Sequence, residues 1–189
     1  MLADWQLWSH DGHRLTAKFC SEIIKRGMQY PIVDSRAGDR VDHVIRSSDV
    51  RWMPRAGNEK LYELLWERAG WSNRNAFGFD INFLPDLQLT HYKEKRKGHY
   101  SWHQDTFFTG SPTPTMTHRK LSGVTQLSAG ESYEGGDLEL DCNNPPDRNL
   151  LRRQGTQIFF PSFAHHRVTP LTSGQRFSLV CWFEGPYWK

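Results

Sequence analysis

The triplet His103-Gln104-Asp105 offers an imidazole and a carboxylate two residues apart. In an extended segment, residues at this spacing point to the same face, so both side chains would converge on one point. Histidine and aspartate occur at this spacing by chance in many proteins, and the triplet alone is a weak signal. It indicates a metal site only if a third ligand comes from elsewhere in the chain.

A second pattern, further along the chain, supplies a candidate for that ligand. His166 follows the apolar stretch 158–160, and Arg176 opens the next apolar stretch, 177–183. Two histidines and one carboxylate form the facial triad that suits non-haem Fe(II), because they fill one face of the metal and leave three positions open. We expect the strands carrying His166 and Arg176 to pair antiparallel around a loop at 170–174, which would bring the two side chains near each other.

Arg176 suggests what the open positions on the metal would receive. A buried arginine needs an anion, and the guanidinium fork matches a carboxylate in a bidentate manner. A dicarboxylate that chelates iron at one end and meets an arginine at the other is 2-oxoglutarate. The alternatives are a capping or core role for His166 and a surface ion pair for Arg176. Spacing alone does not decide between His166 and its neighbour His165, whose side chains point opposite ways in a strand.

The elements that must position these residues change in character along the chain. Leu15, Phe19 and Ile23 recur at every fourth residue and predict a helix over about 16–26. A second helix is predicted over about 59–69, capped by Asn58. The remainder predicts short strands separated by turns, at 77–83, 87–92, 121–127, 137–140, 157–160 and 176–183. Helices first and strands later indicate a β sandwich or barrel with helices packed on one face.

Composition and charge narrow the class of protein. Hydrophobic residues make up 37% of the 189 residues and aromatic residues 13%, which is typical of a folded chain of one domain. The formal net charge of +3 is too balanced to indicate a nucleic-acid partner. The basic run at 93–97 is interpreted as a solvated loop, with steering of an acidic partner as the alternative.

The cysteines and the apolar stretches bear on location. Cys20, Cys142 and Cys181 are few, far apart and without CxxC spacing, so we expect neither a zinc-thiolate site nor a disulfide framework. This pattern favours a reducing compartment, and we expect a cytoplasmic protein. The N-terminus lacks the apolar segment of a signal peptide, and no apolar stretch is long enough to indicate a membrane span.

Taken together, these motifs resemble the prolyl 4-hydroxylase-like branch of the 2-oxoglutarate/Fe(II)-dependent dioxygenases, in particular the small PKHD-type hydroxylases. The resemblance covers about residues 15–184. The matching stretches are 50–54, 77–80, 91–92, 98–105, 119–122, 126–128, 133–140, 160–162 and 166–176.

The resemblance implies an α+β, mainly β fold: a double-stranded β-helix, or jelly roll, with N-terminal helices packed on one sheet. We expect a single domain over 1–189, with helical support to about residue 75 and the catalytic jelly roll from about 76. It places iron on His103, Asp105 and His166, which would be the catalytic centre. The resemblance also favours His166 over His165 as the third iron ligand.

The resemblance also assigns a co-substrate site. It places one carboxylate of 2-oxoglutarate on Arg176, with Tyr92 as a hydrogen-bonding partner of the co-substrate and Gln126 against the same carboxylate. Trp182 would line the pocket. For Tyr92 and Trp182 the simpler alternative is an ordinary core aromatic. Tyr100 and Trp102 are expected to flank a substrate cleft, and segment 106–118 to form a mobile lid.

The function implied is hydroxylation of an unactivated C–H bond with Fe(II), 2-oxoglutarate and O2, forming succinate and CO2, with ascorbate (vitamin C) as an accessory reductant. The expected substrate is a prolyl residue in a peptide or protein. A free amino acid or another small molecule is one alternative, and a non-catalytic jelly-roll binding module is another. Neither a nucleic acid nor a membrane is expected as a partner, and the sequence leaves the oligomeric state open.

Overall fold

A computed structural model of the chain describes residues 7–33, 36–37, 40–41, 44–106 and 117–188. The helices are α1 (Ala17–Gly27), α2 (Glu59–Ser72) and α3 (Arg148–Arg152), with a π-helical turn at Asn73–Phe77 and 3-10 turns at Glu94–Arg96 and Gly130–Ser132. The strands are β1 (Arg36–Ala37), β2 (Arg40–Val41), β3 (Arg46–Ser47), β4 (Asp49–Met53), β5 (Leu87–Lys93), β6 (His99–His103), β7 (Thr117–Gln126), β8 (Tyr133–Gly135), β9 (Leu138–Leu140), β10 (Gln157–Pro161), β11 (His166–Val168) and β12 (Leu171–Pro186).

Two antiparallel sheets form the jelly roll. The major sheet has the order β10-β7-β12-β5-β4, with β8 paired to β12, and the minor sheet has the order β3-β6-β11-β9. Strands far apart in the chain are neighbours in both sheets, which is the arrangement expected of a double-stranded β-helix. The front of the chain contributes β3 to the minor sheet and β4 to the major sheet, in addition to its helices. Among the described helices, none combines the length and the apolar composition that a membrane span requires.

The major sheet separates two hydrophobic cores. On its outer face, Leu89 and Leu179 pack with residues of α1 and α2 in one core cluster. On its inner face, Tyr92 and Val124 pack with Leu138 and other residues of the minor-sheet side in a second cluster. Because successive residues of a strand point to opposite faces, each strand of the major sheet presents one set of side chains to the helices and another to the space between the sheets.

The packing of α1 confirms the first predicted helix. Thr16 caps it, since its hydroxyl accepts a hydrogen bond from the backbone N–H of Phe19 at 3.2 Å. The helix ends at Gly27, where a Cβ atom would lie only 2.6 Å from a side-chain carbon of Leu89 and 3.0 Å from Sδ of Met53. The glycine therefore allows α1 to approach the sheet closely.

The second predicted helix is confirmed, but it extends further than the sequence indicated. It runs to Ser72 and continues as the π-helical turn. Asn58 stands at its N-cap position but makes no side-chain capping bond. Its amide instead donates to the carbonyl of Pro54 at 2.7 Å and to the hydroxyl of Tyr30 at 3.0 Å. Asn58 thus links the turn before α2 to the segment that follows α1, and it does not cap α2.

The strand predicted over 77–83 is wrong. Phe77 closes the π-helical turn, and Gly78 adopts φ of 68°, which breaks the alternation of an extended chain. Asn73 holds the following segment by accepting from the N–H of Phe79 at 2.9 Å and donating to its carbonyl at 2.7 Å. The two phenylalanine rings stack with centroids 5.7 Å apart against the helical core. Phe77 and Phe79 therefore pack against the helical core as parts of a turn and a loop, and not as parts of a strand.

The expected pairing of the strands around His166 and Arg176 is also wrong. His166 begins β11 in the minor sheet, where it pairs with β6 and β9, whereas Arg176 belongs to β12 in the major sheet. Strand β12 begins at Leu171, so the predicted loop at 170–174 is largely strand. The chain crosses from one sheet to the other between β11 and β12. The two side chains consequently meet across the inter-sheet space rather than along one ladder.

Candidate metal and co-substrate site

His103, Asp105 and His166 form a compact cluster of potential metal ligands. One ligand atom from each lies within 4.8 Å of the others. Nε2 of His103 is 3.6 Å from Oδ1 of Asp105, and Nε2 of His166 is 3.5 Å from Oδ2. The two histidines are direct partners in the β6–β11 ladder, which places their rings side by side with centroids 4.1 Å apart. Asp105 follows β6 and is bound to the opposite turn through its N–H, 2.8 Å from the carbonyl of Ser162.

Backbone carbonyls fix the tautomer of both histidines. Nδ1 of His103 lies 2.8 Å from the carbonyl oxygen of Ser101, and Nδ1 of His166 lies 3.0 Å from that of Ala164. A carbonyl only accepts, so each Nδ1 carries the hydrogen and each Nε2 keeps its lone pair. Both lone pairs are therefore available on the side of Asp105. Metal-binding histidines in proteins are oriented in this manner.

Ser122 holds the carboxylate of Asp105, and Ser162 contacts Ser122 from behind. The hydroxyl of Ser122 donates to Oδ2 at 2.7 Å and lies 2.9 Å from the hydroxyl of Ser162. Burial raises the pKa of Asp105, but the neighbouring imidazoles of His166 and His103 and the Ser122 hydroxyl outweigh it, and the net direction is downward. Burial, followed by the proximity of His166, lowers the pKa of His103 to about 4. The site thus favours an ionised Asp105 beside a neutral His103, the protonation states that a metal ion requires of these two ligands.

Arg176 is buried on the inner face of the major sheet, with 2% of its surface exposed. Its Nε donates to the carboxamide oxygen of Gln126 at 3.0 Å, and its guanidinium carbon lies 5.5 Å from the ring centroid of Tyr92. Nη1 has no hydrogen-bond partner, and no acidic side chain among the described residues forms an ion pair with this arginine. A buried guanidinium in this state lacks its anion.

A cavity of about 270 Å³ between the sheets connects the cluster with Arg176. The described side chains that line it include the three candidate ligands, Arg176, further arginines, aromatic residues and aliphatic residues. They are Val33, Arg46, Val50, Trp52, Gln88, Tyr92, Tyr100, His103, Gln104, Asp105, Arg119, Val124, Leu138, His166, Val168, Arg176, Ser178, Val180 and Trp182. A small ligand in this space would reach both the metal position and the buried guanidinium.

The candidate co-substrate residues occupy different places. Tyr92 and Trp182 line the cavity, and Tyr92 faces Arg176 directly across the β5–β12 ladder. Gln126 stands behind the arginine instead: its amide donates to the hydroxyl of Tyr133 at 3.1 Å and to the carbonyl of Ser128 at 2.9 Å. Both ends of its carboxamide are thus bonded to protein groups. This arrangement orients the guanidinium rather than offering Gln126 as a ligand.

The other residues predicted to lie near the site differ in whether the structure places them at the cavity. Tyr100 lines the cavity and stacks on His103 with ring centroids 3.4 Å apart. Trp102 is 44% exposed and stacks with Arg167, away from the cavity lining. The exposed His165 is not in the metal cluster. Most of the predicted lid, 107–116, lies outside the described residues.

Sequence reasoning gave no role to Arg46, Trp52, Arg119 or Ser122, all of which contact the site. Arg46 lies over the ring of Tyr100 at 4.7 Å, and Arg119 lies over the ring of Trp182 at 4.0 Å. Trp52 and Trp182 have ring centroids 5.9 Å apart. Arg119 and Ser122 belong to the stretch 119–122, one of those that carried the resemblance, and this was the signal available from the sequence.

The residues present fit iron and 2-oxoglutarate. Two imidazole nitrogens and a carboxylate on one side of a cavity form a facial donor set, which suits Fe(II) and leaves positions open. The orphaned Nη1 of Arg176, in the same cavity, offers the fork that a carboxylate needs. Both halves of the expected chelate therefore have protein partners.

Comparison with known proteins agrees with this geometry. The sequence model of the 2OG-Fe(II) oxygenase superfamily matches residues 87–184, which contain all three candidate ligands and Arg176. The chain belongs to this superfamily, whose members use Fe(II), 2-oxoglutarate and O2.

Among curated proteins, the chain is similar to PKHD-type hydroxylases. It is 34% identical to one from Synechococcus sp. strain CC9605 over 85 residues, 45% of this chain and 36% of the relative. It is 32% identical to one from Synechococcus sp. strain CC9311 over 126 residues, 67% of this chain and 54% of the relative. The matched region thus spans between about a third and a half of these relatives' length.

Solved structures confirm the fold. A prolyl-4-hydroxylase from Pseudomonas putida superposes with a TM-score of 0.68 at 20% identity, covering 93% of this chain and 91% of that one. A prolyl hydroxylase from Trichoplax adhaerens, in complex with a hypoxia inducible factor peptide fragment, superposes with a TM-score of 0.70 at 15% identity, covering 93% and 82%. Likeness at this level of identity establishes the jelly-roll architecture.

Proposed function

We propose that this chain is an Fe(II)- and 2-oxoglutarate-dependent dioxygenase that hydroxylates an unactivated C–H bond of a prolyl residue in a peptide or protein. The observation that carries the proposal is the sharing of one cavity by the His103–Asp105–His166 cluster and the unpaired guanidinium of Arg176. A structural metal site alone would give no reason to bury an arginine without an anion.

In this proposal His103, Asp105 and His166 hold the iron, and Arg176 binds the distal carboxylate of 2-oxoglutarate. Bound together, the two groups supply oxygen activation coupled to the formation of succinate and CO2. The chain's own residues bind, orient and shield. Ser122 and two backbone carbonyls fix the ligands, and Gln126 fixes the arginine.

The prolyl substrate is supported by the lining of the cavity and by the nature of the relatives. Trp52, Tyr100 and Trp182 give the cavity aromatic walls, which suit an apolar ring. The structural neighbours described above are prolyl hydroxylases, and the curated relatives are hydroxylases.

The test is succinate release from purified protein with Fe(II), ascorbate and 2-oxoglutarate under air, with and without proline-containing peptides. We expect peptide-stimulated succinate that is lost in His103→Ala and in Asp105→Ala and retained in His165→Ala. Product analysis by mass spectrometry should show a gain of one oxygen on proline. Succinate formation that persists in His103→Ala would overturn the metal assignment, and stimulation by non-prolyl peptides alone would overturn the substrate.

A further inference from the structure

The charged side chains that line the cavity do not balance among the described residues. Of the described residues that line it, four carry formal charges: Arg46, Arg119 and Arg176 are cationic, and Asp105 is anionic. Two positive charges are therefore in excess. Iron and 2-oxoglutarate leave this excess unchanged, because a divalent cation and a dianion cancel each other. A ligand-loaded cavity would still contain two arginines more than its anions neutralise, and buried charge without compensation is costly.

Arg46 is the first of the two arginines that have no counterion among the described residues. It is 6% exposed, and its Nε donates to the hydroxyl of Ser48 at 3.0 Å. Its guanidinium lies over the ring of Tyr100, which in turn stacks on His103. No ion pair joins it to an acidic residue in the described part of the chain. The nearby Asp49 is instead paired with Lys93 and Arg96.

Arg119 is the second of these arginines; it is half-buried, and Glu184 faces it across the β7–β12 ladder. Its guanidinium lies over Trp182, and its Nη1 reaches only the backbone carbonyl of Asp105, at 3.5 Å. It forms no ion pair with the acidic residues that the structure describes. Segment 107–116, which precedes it in the chain, contains neither Asp nor Glu and so brings no counterion by sequence. The two arginines are held by aromatic rings on the walls of the metal cavity, with donors to spare.

We propose that the substrate carries a carboxylate, and that Arg46 and Arg119 bind it beside the metal position. The inference rests on the proposed function, since it concerns the third ligand of the same cavity. A guanidinium has five N–H donors in a fixed fork, and two such groups on one cavity form a receptor for a carboxylate rather than for an uncharged peptide carbonyl. Within the proposed function, the carboxylate is the C-terminus of a peptide that ends in the prolyl residue to be hydroxylated. A free amino acid, the alternative to a peptide substrate, carries the same group.

Acid and amide forms of the same compound provide the test, because they differ in charge and little in shape. Protein loaded with Zn(II), which does not react with oxygen, is first titrated with 2-oxoglutarate by calorimetry. The complex is then titrated with L-proline and L-prolinamide, and with acetyl-Gly-Pro as free acid and as amide. We expect the acid of at least one pair to bind about tenfold more tightly or better, as charge-assisted hydrogen bonds predict. The pair that shows this preference identifies whether the carboxylate belongs to a free amino acid or to the C-terminus of a peptide.

The arginines are tested by substitution. Arg46→Gln and Arg119→Gln should each reduce the preference for acid over amide towards one, while 2-oxoglutarate binding shows that the variants remain folded. The control is Arg153→Gln, an exposed arginine outside the cavity lining, which should keep the full preference.

The outcomes are distinguishable. Absence of 2-oxoglutarate binding in the first titration would refute the proposed function, and this inference would fall with it. Normal 2-oxoglutarate binding followed by equal affinity for acid and amide, or by no binding of either member of both pairs, would refute the carboxylate receptor alone. Such a result would mean that the two arginines are neutralised within the chain. A preference that survives both substitutions would place the receptor on other residues.

Discussion

Gln126 accepts a hydrogen bond from Nε of Arg176 at 3.0 Å, and this contact sets the direction of a guanidinium that has no anionic partner in the described part of the chain. The glutamine is itself fixed through Tyr133 and the carbonyl of Ser128. In the proposed function, Arg176 would therefore bind the co-substrate carboxylate with support from Gln126 and Tyr133, and substitutions of Arg176 and of Gln126 test the two roles separately.

The first prediction concerns these two residues. Arg176→Gln should weaken 2-oxoglutarate binding by about 100-fold or more, because it removes two charge-assisted bonds to a buried carboxylate. Gln126→Leu should weaken it by about tenfold, since the charge remains but loses its orientation. Gln154→Leu, whose amide donates only to the carbonyl of Leu127, is the matched control. Calorimetric titration measures all three, and an unchanged dissociation constant in Arg176→Gln would place the anion elsewhere.

The second prediction separates the adjacent histidines. His166→Ala should weaken Fe(II) or Co(II) binding by more than the roughly 10–100-fold that outer-shell changes cost. His165→Ala should bind metal like the parent protein, because its exposed side chain lies outside the cluster. Equilibrium dialysis provides the measurement. The reverse order of effects would show that the histidine beside Asp105 is not the ligand.

The third prediction concerns the serine behind Asp105. Ser122→Ala removes the donor to Oδ2 and should reduce metal affinity by about 10–100-fold while leaving the three ligands in place. Ser101→Ala is a stringent control, since Ser101 orients His103 through its backbone carbonyl and its side chain is exposed. Equal losses of metal affinity in both variants would indicate a general effect on folding rather than orientation of the carboxylate.

The fourth prediction is a pH dependence of stability. Burial lowers the pKa of His91 below its ordinary value of 6.5, and its ring stacks on Phe177 with centroids 3.9 Å apart. A depressed pKa means that the unfolded chain binds the proton more readily, so the contribution of His91 is present above pH 6.5 and is lost as the pH falls through the lowered value. His91→Phe keeps the stacking and should flatten the loss of stability on acidification. Urea unfolding at pH 7.5 and pH 5 tests this, and identical pH dependence in both proteins would contradict it.

The fifth prediction compares two helical glycines. Gly27→Ala should destabilise the protein by about 1–3 kcal/mol, because the new Cβ would overlap Leu89 and Met53 in the core. Gly70→Ala should stabilise it by about 0.5–1 kcal/mol, since alanine favours the interior of α2 and the new Cβ meets only the flexible end of Arg74 at 3.3 Å. Chemical denaturation measures both free energies. Destabilisation by both alanines would show that the outer core is packed more tightly around α2 than its contacts indicate.

The sequence by itself determined the elements whose signals are local. The period of Leu15, Phe19 and Ile23 predicted α1. Alternation predicted β5, and short stretches between turn signals predicted β7, β10 and the centre of β12. It also determined the residue types of the site, since an HxD triplet with a later histidine and arginine has few other uses. Those types follow from chemistry that does not depend on how the strands are arranged.

Only the tertiary structure decided which strands face one another. His166 and Arg176 are ten residues apart, and the sequence favoured a hairpin between them, but the chain changes sheets after β11. Alternation at 77–83 predicted a strand, and a side chain from a preceding helix, Asn73, holds that segment as a loop. The excess of arginines in the cavity likewise became visible only when Arg46, Arg119 and Arg176 met in one space. Long-range strand pairing of this kind depends on the total apolar surface that both sheets bury together. A short stretch of sequence does not reveal that total.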